Sequence, residues 1–373
     1  METTLLIKLE TPLILGYKDP DWPLRPHEIW KMWKWWAKAL VAGVLFERGL
    51  LRGTEKQDAV KAPIREEADC ILQIVGQEMG LDVHSSCFQM QFEEIEFGPP
   101  REVTPSFEAE YGIWRRGQNS MLPQQGDRWY IDRGSATLVV KEHAPCRLDN
   151  KAVEASMRAL ALAFRLSCFG EGGRRGLGCF NVRAYGRHKS LFEEEFAVLI
   201  KRTVAAVDAV VNRTVSKCRV SRREVSPCGL PPMPALSTTR RYDACIKDAI
   251  LAPYMLFSVR KVRREDLYSF FSQQKTRSFC SDFYSNEKEM PKTWIINGVS
   301  RRPPPLMLSI SGNTAHLSVF VSADWPLKWQ RNQIGELDIL AATARVLREF
   351  INYVEKLGGE VKMLWPEQQR AET

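Results

Sequence analysis

Apolar and polar residues in the first half of the chain switch between the period of a strand and that of a helix. Thr4 to Leu9 alternates and predicts a strand, whereas the stretch from about His27 to Phe46 has helical spacing. Further strands are predicted at residues 87–97, 137–140 and 179–185, and a second helix at residues 150–168. The resulting order is β-α-β-β-α-β, which is that of the ferredoxin-like split βαβ fold.

The second half repeats this order in a weaker form. After helical spacing at residues 191–211, it ends with two strands, a helix at residues 334–357 and a last strand at residues 361–364. We therefore predict an α+β protein of tandem ferredoxin-like (RRM-like) domains with long loop insertions. The N-terminal ferredoxin-like domain is predicted at residues 1–190 and the C-terminal, degenerate domain at residues 191–373. The pattern assigns no role to the insert at residues 98–135 or to the linker at residues 212–240.

The first predicted helix has two chemically different faces. Spacings of three and four residues place Ile29, Trp33, Trp36, Leu40 and Val44 on one apolar face. The opposite face carries Lys31, Lys34, Lys38 and the ring of Trp35. An aromatic ring among lysines is typical of a surface that stacks a base and holds its phosphates. The alternative is that Trp35 is covered by the second domain or by a partner protein.

A glycine-rich stretch at residues 170–178 follows the second predicted helix and leads into a strand. Its glycines are Gly170, Gly172, Gly173, Gly176 and Gly178, and they surround Arg174 and Arg175. Glycines allow a ligand to approach the backbone, and guanidinium groups bind phosphate oxygens. The stretch lacks the Gly-Lys-Ser/Thr ending of a phosphate-binding P-loop, and its position after a helix argues against a dinucleotide fingerprint. The alternative is a tight connection with solvated arginines.

Composition adds a mild preference for an anionic partner. The 373 residues carry a formal charge of +8 with a pI of about 9.0. Nine cysteines form an odd set without a CxxC pair, so neither a disulfide framework nor a zinc knuckle is expected. No signal peptide or apolar run of membrane-spanning length is visible, and we expect a reducing cytoplasm.

The sequence contains no convincing catalytic constellation. It has five histidines and neither an HExxH nor a GxSxG motif, and we predict no cofactor and no metal site. Glu94 and Glu96 share one face of a predicted strand, where an exposed sheet edge is favoured over a metal site. His27 precedes the basic helix face and is the candidate general base for a ribonuclease, with an ordinary first-turn histidine as the favoured alternative.

Several short motifs occur in the order found in one protein family. The amino-terminal set is Thr11-Pro12, Gly16, Leu24-Arg25-Pro26, Ile29, Lys34-Trp35-Trp36 and Ala39-Leu40, and the glycine-rich loop and Arg302-Pro303-Pro304 follow it. Together they resemble the RAMP superfamily of CRISPR proteins, and within it the first-subunit family of type III-B (Cmr) effector complexes. The resemblance covers both ends of the first predicted domain and extends weakly into the second.

The resemblance implies a non-catalytic RNA-binding subunit that helps to hold the crRNA 3′ region and to capture target RNA. Its implied partners are crRNA, target single-stranded RNA and other effector subunits, without a membrane. The predicted RNA-binding residues are Arg25, Lys31, Lys34, Trp35, Lys38, Gly170, Gly172, Gly173, Arg174, Arg175, Gly176 and Gly178. The alternative function is a metal-independent CRISPR endoribonuclease that processes crRNA precursors, with His27 as base and Tyr17 or Lys31 assisting. A third reading is a scaffold whose basic faces meet acidic neighbours.

Overall fold

A computed structural model of the chain describes most of its 373 residues. The described residues are 2–15, 24–53, 65–82, 86–111, 129–143, 146, 148–170, 173, 175–236, 242, 245, 251–272, 283–284, 295–296, 299–302, 306–323 and 339–366. Tyr17, Gly172 and Arg174, all named as candidates from the sequence, lie outside these ranges.

The first half forms a four-stranded antiparallel sheet covered by helices. Its strands are β1 (Glu2–Leu9), β3 (Phe88–Phe97), β6 (Gly134–Glu142) and β7 (Phe180–Gly186), in the order β3-β6-β1-β7. The helices are α1 (Pro26–Glu47), α2 (Arg65–Gln73), which continues into a π-helical turn at Ile74–Glu78, α4 (Asn150–Leu166), α5 (Lys189–Glu193) and α6 (Phe196–Thr214). These elements follow the predicted β-α-β-β-α-β order, with α6 packed on α1 and α4.

The insert between β3 and β6 carries structure that its irregular pattern did not predict. Short strands β4 (Arg101–Glu102) and β5 (Trp129–Ile131) pair with β2 (Leu13–Leu15) in the order β2-β5-β4. Helix α3 (Pro105–Glu110) lies between β4 and β5 in sequence. The side chain of Phe107 is buried and stacks on Tyr130, with ring centroids 3.9 Å apart. The described part of the insert is therefore packed against the body of the protein.

The second half forms another four-stranded antiparallel sheet, in the order β12-β13-β8-β14. Its strands are β8 (Tyr254–Arg260), β12 (Leu306–Ser311), β13 (Thr314–Phe320) and β14 (Glu360–Trp365), and its helices are α7 (Arg264–Ser272) and α8 (Ile339–Lys356). Three short strands, β9 (Phe283–Tyr284), β10 (Ile295–Ile296) and β11 (Val299–Arg302), pair separately. The α+β class predicted from the sequence is confirmed, while the domain boundary near residue 190 stays a prediction.

The two faces of the second sheet belong to different cores. Phe257, Leu308 and Leu317 pack with α7 and α8, whereas Tyr254 and Phe320 join the core built around α1 and α4. Successive side chains of a strand point to opposite faces of the sheet, so neighbouring residues of β8 and β13 belong to different cores. Both faces of this sheet are therefore buried, and one of them joins the two halves of the chain.

The cysteines correct the sequence-based expectation. Eight of the nine form disulfides: Cys70–Cys218, Cys87–Cys146, Cys168–Cys179 and Cys228–Cys245. The expectation that no disulfide framework exists was wrong because the absence of CxxC spacing excludes only short-range pairs. Three of these pairs join residues that are 17 to 148 positions apart. The ninth cysteine, Cys280, lies outside the described residues.

The described part of the linker at residues 212–236 is held against the core built around α1 and α4, here called the first core. A single 3-10 turn at Val215–Lys217 ends α6, and the chain then continues without a regular helix or a strand. Residues 229–236 are buried, and the Leu236 amide donates to the Ala39 carbonyl of α1 at 2.9 Å. Among the described helices, none is long and apolar enough to cross a membrane.

Candidate nucleic-acid interface

Helix α1 is anchored by the apolar face that its spacing predicted. Trp33 and Trp36 are fully buried, and their indole N–H groups donate to the Ser156 carbonyl and to Ser167 Oγ, each at 2.7 Å. A buried indole N–H needs such a partner, and each bond fixes the rotation of α1 about its own axis. Ser167 immediately follows α4 and precedes the glycine-rich loop, so the basic helix and the loop are mechanically linked.

The three lysines of α1 have unequal surroundings. Lys31 is exposed, whereas Lys34 and Lys38 are partly buried, and neither makes an ion pair with a described residue. Burial lowers the pKa of Lys38 to about 8, with the nearby Lys34 charge contributing in the same direction. Burial also lowers the pKa of Lys34, against the attraction of Asp82. A bound anion would relieve the repulsion between these two amines, which makes the pair a candidate phosphate contact.

Trp35 is not displayed as an open ring among the lysines. Its ring is half-buried and meets Phe320 of β13 edge-to-face at 5.1 Å, and it meets Trp36 at 5.2 Å. This arrangement corresponds to the alternative in which the second half of the chain covers Trp35. Stacking of a base on this ring stays a prediction, and it would have to use the part that Phe320 leaves uncovered.

The glycine-rich loop is closed at its base. The Phe169 amide donates to the Gly178 carbonyl and the Gly178 amide to the Pro12 carbonyl, both at 2.8 Å, and Cys168 is bonded to Cys179. Gly170 and Gly178 have φ values of +76° and +70°, in the left-handed region. A side chain at Gly178 would collide with the Phe169 carbonyl. The glycines near the base are therefore required by the packing of the loop itself.

One side of this loop packs against the second sheet. Arg175 forms a parallel bridge with Leu308 on the edge strand β12, and the Tyr268 hydroxyl donates to the Gly176 carbonyl at 3.2 Å. Gly176 has φ +87°, and a Cβ there would lie 3.1 Å from side-chain atoms of Leu308 and Ile310. The loop thus covers an otherwise unpaired strand edge, which is a structural role that the sequence did not indicate.

The remaining described candidates differ in exposure. Gly170 is exposed and Gly173 is buried, while Gly172 and Arg174 lie outside the described residues. Arg25 is half-exposed and, with extended backbone, directly precedes α1. Among the described loop residues, Gly170 and Arg175 are at least partly exposed, whereas Gly173 and residues 176–178 are buried.

His27 is exposed in the first turn of α1. Partial burial and the charges of Lys31 and Arg25 lower its pKa, which favours the neutral imidazole that a general base requires. The assisting Tyr17 lies outside the described residues.

The carboxylates on β3 occupy an exposed sheet edge, as predicted. Glu94 and Glu96 are exposed, and β3 is the outermost strand of its sheet, with a register shift between Phe92 and Glu94. Within the described residues, no group of three or more metal-ligating side chains is found.

No protein-family model and no curated protein matches this chain. Among solved structures, its fold is similar to the crystal structure of Cmr1 from Pyrococcus furiosus in the apo form, with a TM-score of 0.54. That similarity covers 98% of this chain and 99% of the other at 13% sequence identity. The chain has a Cmr1-like fold. The family resemblance seen in the sequence motifs is thereby confirmed at the level of the fold.

Two cryo-EM structures of the type III-B Cmr-beta complex also match, each with a TM-score of 0.45. In the structure of the complex bound to cognate target RNA, the matching chain is 10% identical, and the match covers 92% of this chain and 99% of that one. In the structure of the complex bound to cognate target RNA and AMPPnP, state 2, in the presence of ssDNA, the matching chain is 11% identical, and the match covers 95% of this chain and 98% of that one.

Proposed function

We propose that this protein is a non-catalytic RNA-binding subunit of a type III-B CRISPR effector complex. The observation that carries the proposal is the likeness in fold to Cmr1 along nearly the whole of both chains. The sequence motifs that resemble the RAMP superfamily support it independently, because they depend on residue identities alone. In this role the protein helps to hold the crRNA 3′ region and to capture target RNA, beside other effector subunits in the cytoplasm.

The same proposal includes a tandem ferredoxin-like arrangement. The first sheet and its connecting helices follow the order β1, α1, β3, β6, α4 and β7 along the chain. The second sheet and its helices follow the order β8, α7, β12, β13, α8 and β14. Both sets have the order β-α-β-β-α-β, and in both sheets the second strand of the set lies at one edge and the fourth at the other. The two halves are therefore related in topology despite the absence of a clear sequence repeat.

The proposed RNA contact is the lysine face of α1 together with Gly170 and Arg175 of the glycine-rich loop. Lys34 and Lys38 are partly buried amines whose charges repel each other, and an RNA phosphate between them would be bound with little competition from water. Gly170 and Arg175 are the described residues of the loop that are not buried. Contacts of this kind read the backbone and are independent of base sequence.

A binding assay with single-stranded RNA of mixed sequence tests this proposal. We compare the wild type with the K31Q/K34Q/K38Q variant and with K151Q/K201Q/K356Q, which removes the same charge from exposed lysines on α4, α6 and α8. We expect fluorescence anisotropy to show a much larger loss of affinity for the α1 variant than for the control. Equal losses in the two variants would refute the assignment of the surface, and wild-type protein that does not bind RNA would refute the function.

The second candidate function is the metal-independent endoribonuclease. The lowered pKa and exposure of His27 favour it, since a neutral imidazole beside Lys31 is suited to remove a proton from a 2′-hydroxyl. Incubation with repeat RNA in the presence of EDTA separates the two functions. Intact, bound RNA supports the non-catalytic subunit, whereas cleavage that is lost in His27→Ala supports the enzyme.

A further inference from the structure

The segment from Cys218 to Cys228, here called the arginine strap, is fixed at both ends. Cys218 is bonded to Cys70 of α2, and Cys228 is bonded to Cys245. The segment contains no described helix or strand, yet its conformation is restricted by these two covalent links. A surface segment with this restraint loses less conformational entropy on binding a partner than a free loop does.

The middle of the strap is also held by its backbone and by two apolar side chains. The Arg223 amide donates to the Gly49 carbonyl at 2.7 Å, just beyond the end of α1. Gly49 has φ +69°, and a Cβ at this position would collide with the Arg223 carbonyl oxygen. Val220 and Val225 pack against the first core. The strap therefore has a defined inner side.

The outer side carries three cations. Arg219, Arg222 and Arg223 are exposed, and none of them makes an ion pair with a described residue. The other exposed residues between positions 219 and 224 are Ser221 and Glu224, so this short stretch has a formal charge of +2. Guanidinium groups stay charged at every accessible pH and bind phosphate oxygens with a fork of N–H donors.

Neighbouring cations differ from these three because they are neutralised. Arg48 pairs with Asp208 on α6, and Lys217 pairs with Glu78 at 3.1 Å. Arg213 near the end of α6 pairs with Asp149, the N-cap residue of α4. Asp208, Glu78 and Asp149 are therefore engaged with these other cations, and the acid within the strap itself is Glu224. The positive field of the strap is concentrated on its three arginines.

The strap is separate from the surface proposed on α1 and the glycine-rich loop. Trp36, which contacts Ser167 before that loop, and Gly49, which contacts the strap, are thirteen positions apart along α1 and the turn that follows it. At about 1.5 Å per residue this is roughly 20 Å. A single RNA strand that touches both surfaces must extend along the body of the protein.

We propose that the arginine strap is a second RNA contact, which binds the phosphate backbone of a single strand. The inference rests on the proposed RNA-binding function and adds a site that neither the sequence motifs nor the comparisons assign. RNA is favoured over an acidic protein because the strap exposes no large apolar side chain, and protein interfaces are centred on apolar and aromatic residues. Three exposed guanidinium groups without an apolar centre fit a phosphate backbone.

The test compares the R219Q/R222Q/R223Q variant with the K151Q/K201Q/K356Q control in the same RNA-binding assay across a range of salt concentrations. Each phosphate contact on a single strand contributes about 0.7 to the slope of log affinity against log salt. We therefore expect the slope of the strap variant to be less steep by about 2, and its affinity at about 0.1 M salt to be lower by roughly 100-fold. The melting temperatures of both variants serve as the check on folding.

The outcomes separate this inference from the proposed function. Wild-type protein that binds RNA, with the strap variant indistinguishable from the control, overturns the strap and leaves the function intact. Wild-type protein that binds no RNA overturns both. Unchanged RNA affinity in the strap variant together with lost co-purification of an acidic effector subunit would show that the strap binds protein. A selective loss of affinity and slope in the folded strap variant supports the inference.

Discussion

The disulfide between Cys70 and Cys218 allows a quantitative prediction about stability. It joins α2 to the end of α6 across a sequence separation of 148, the longest of the four. The perturbation is the double substitution C70A/C218A, which removes the link without leaving an unpaired thiol. The matched control is C228A/C245A, which removes a link with a separation of 17.

The chain-entropy model sets the expected magnitudes. A disulfide lowers the conformational entropy of the unfolded chain, and this effect grows with the length of the loop that it closes. For a separation of 17 it contributes about 3 kcal/mol to the free energy of unfolding. The Cys70–Cys218 loop contains the Cys87–Cys146 and Cys168–Cys179 links, which shorten its free length. Its expected contribution is therefore about 4–5 kcal/mol. The first variant should lose more free energy of unfolding than the control, by roughly 1–2 kcal/mol.

Urea-induced unfolding under non-reducing conditions, followed by tryptophan fluorescence, measures both losses. A reductant should lower the unfolding midpoint of the wild type below that of either variant, because it opens all four links. Thiol titration of denatured, unreduced protein should detect one thiol, since eight of the nine cysteines are paired. Nine reactive thiols, or an unchanged wild-type midpoint in reductant, would refute the reasoning.

Three further predictions concern the join between the two halves of the chain. Trp36→Ala should lower the free energy of unfolding by about 3–5 kcal/mol, and Trp35→Ala by less because its ring is only half-buried; urea titrations give the order. Gly176→Ala should be more destabilising than Gly312→Ala, because both have positive φ but a Cβ at Gly312 meets nothing within 4 Å; equal losses would refute the close contact. Burial lowers the pKa of His316 to about 4, so this side chain takes up a proton less readily in the folded protein than in the unfolded chain, where its pKa is near 6.5. The free energy of unfolding should therefore fall by up to roughly 3 kcal/mol as the pH is lowered from 6.5 toward 4. His316→Phe should flatten the stability-pH profile in this window.

The proposed cytoplasmic location and the four disulfides are compatible under either of two physical conditions. Cytosolic disulfides are rare in mesophiles, but intracellular proteins of hyperthermophiles are often rich in them. The proposed cytoplasmic role therefore implies either a growth temperature at which such links are retained or a local oxidising environment. Mass spectrometry of the native protein after rapid alkylation distinguishes formed links from free thiols in the cell.

The amino-acid sequence by itself determined the order of the main strands and helices and the inward face of α1. Ile29, Trp33 and Trp36 are buried as their spacing predicted, and α1 begins at Pro26 with Arg25 extended before it. These features depend on residues within one or two turns of each other, so local periodicity is sufficient to find them. The α+β class follows from the same information.

Only the tertiary structure decided how the candidate surfaces are used. Trp35 shares the predicted polar face with Lys38, but Phe320 from a distant strand covers part of its ring. Gly176 belongs to a loop with the composition of a ligand site, but it faces Leu308. The disulfide partners are likewise brought together by packing, up to 148 positions apart. Local patterns specify which side of an element is apolar, whereas contacts between distant elements determine which polar groups stay available to a ligand.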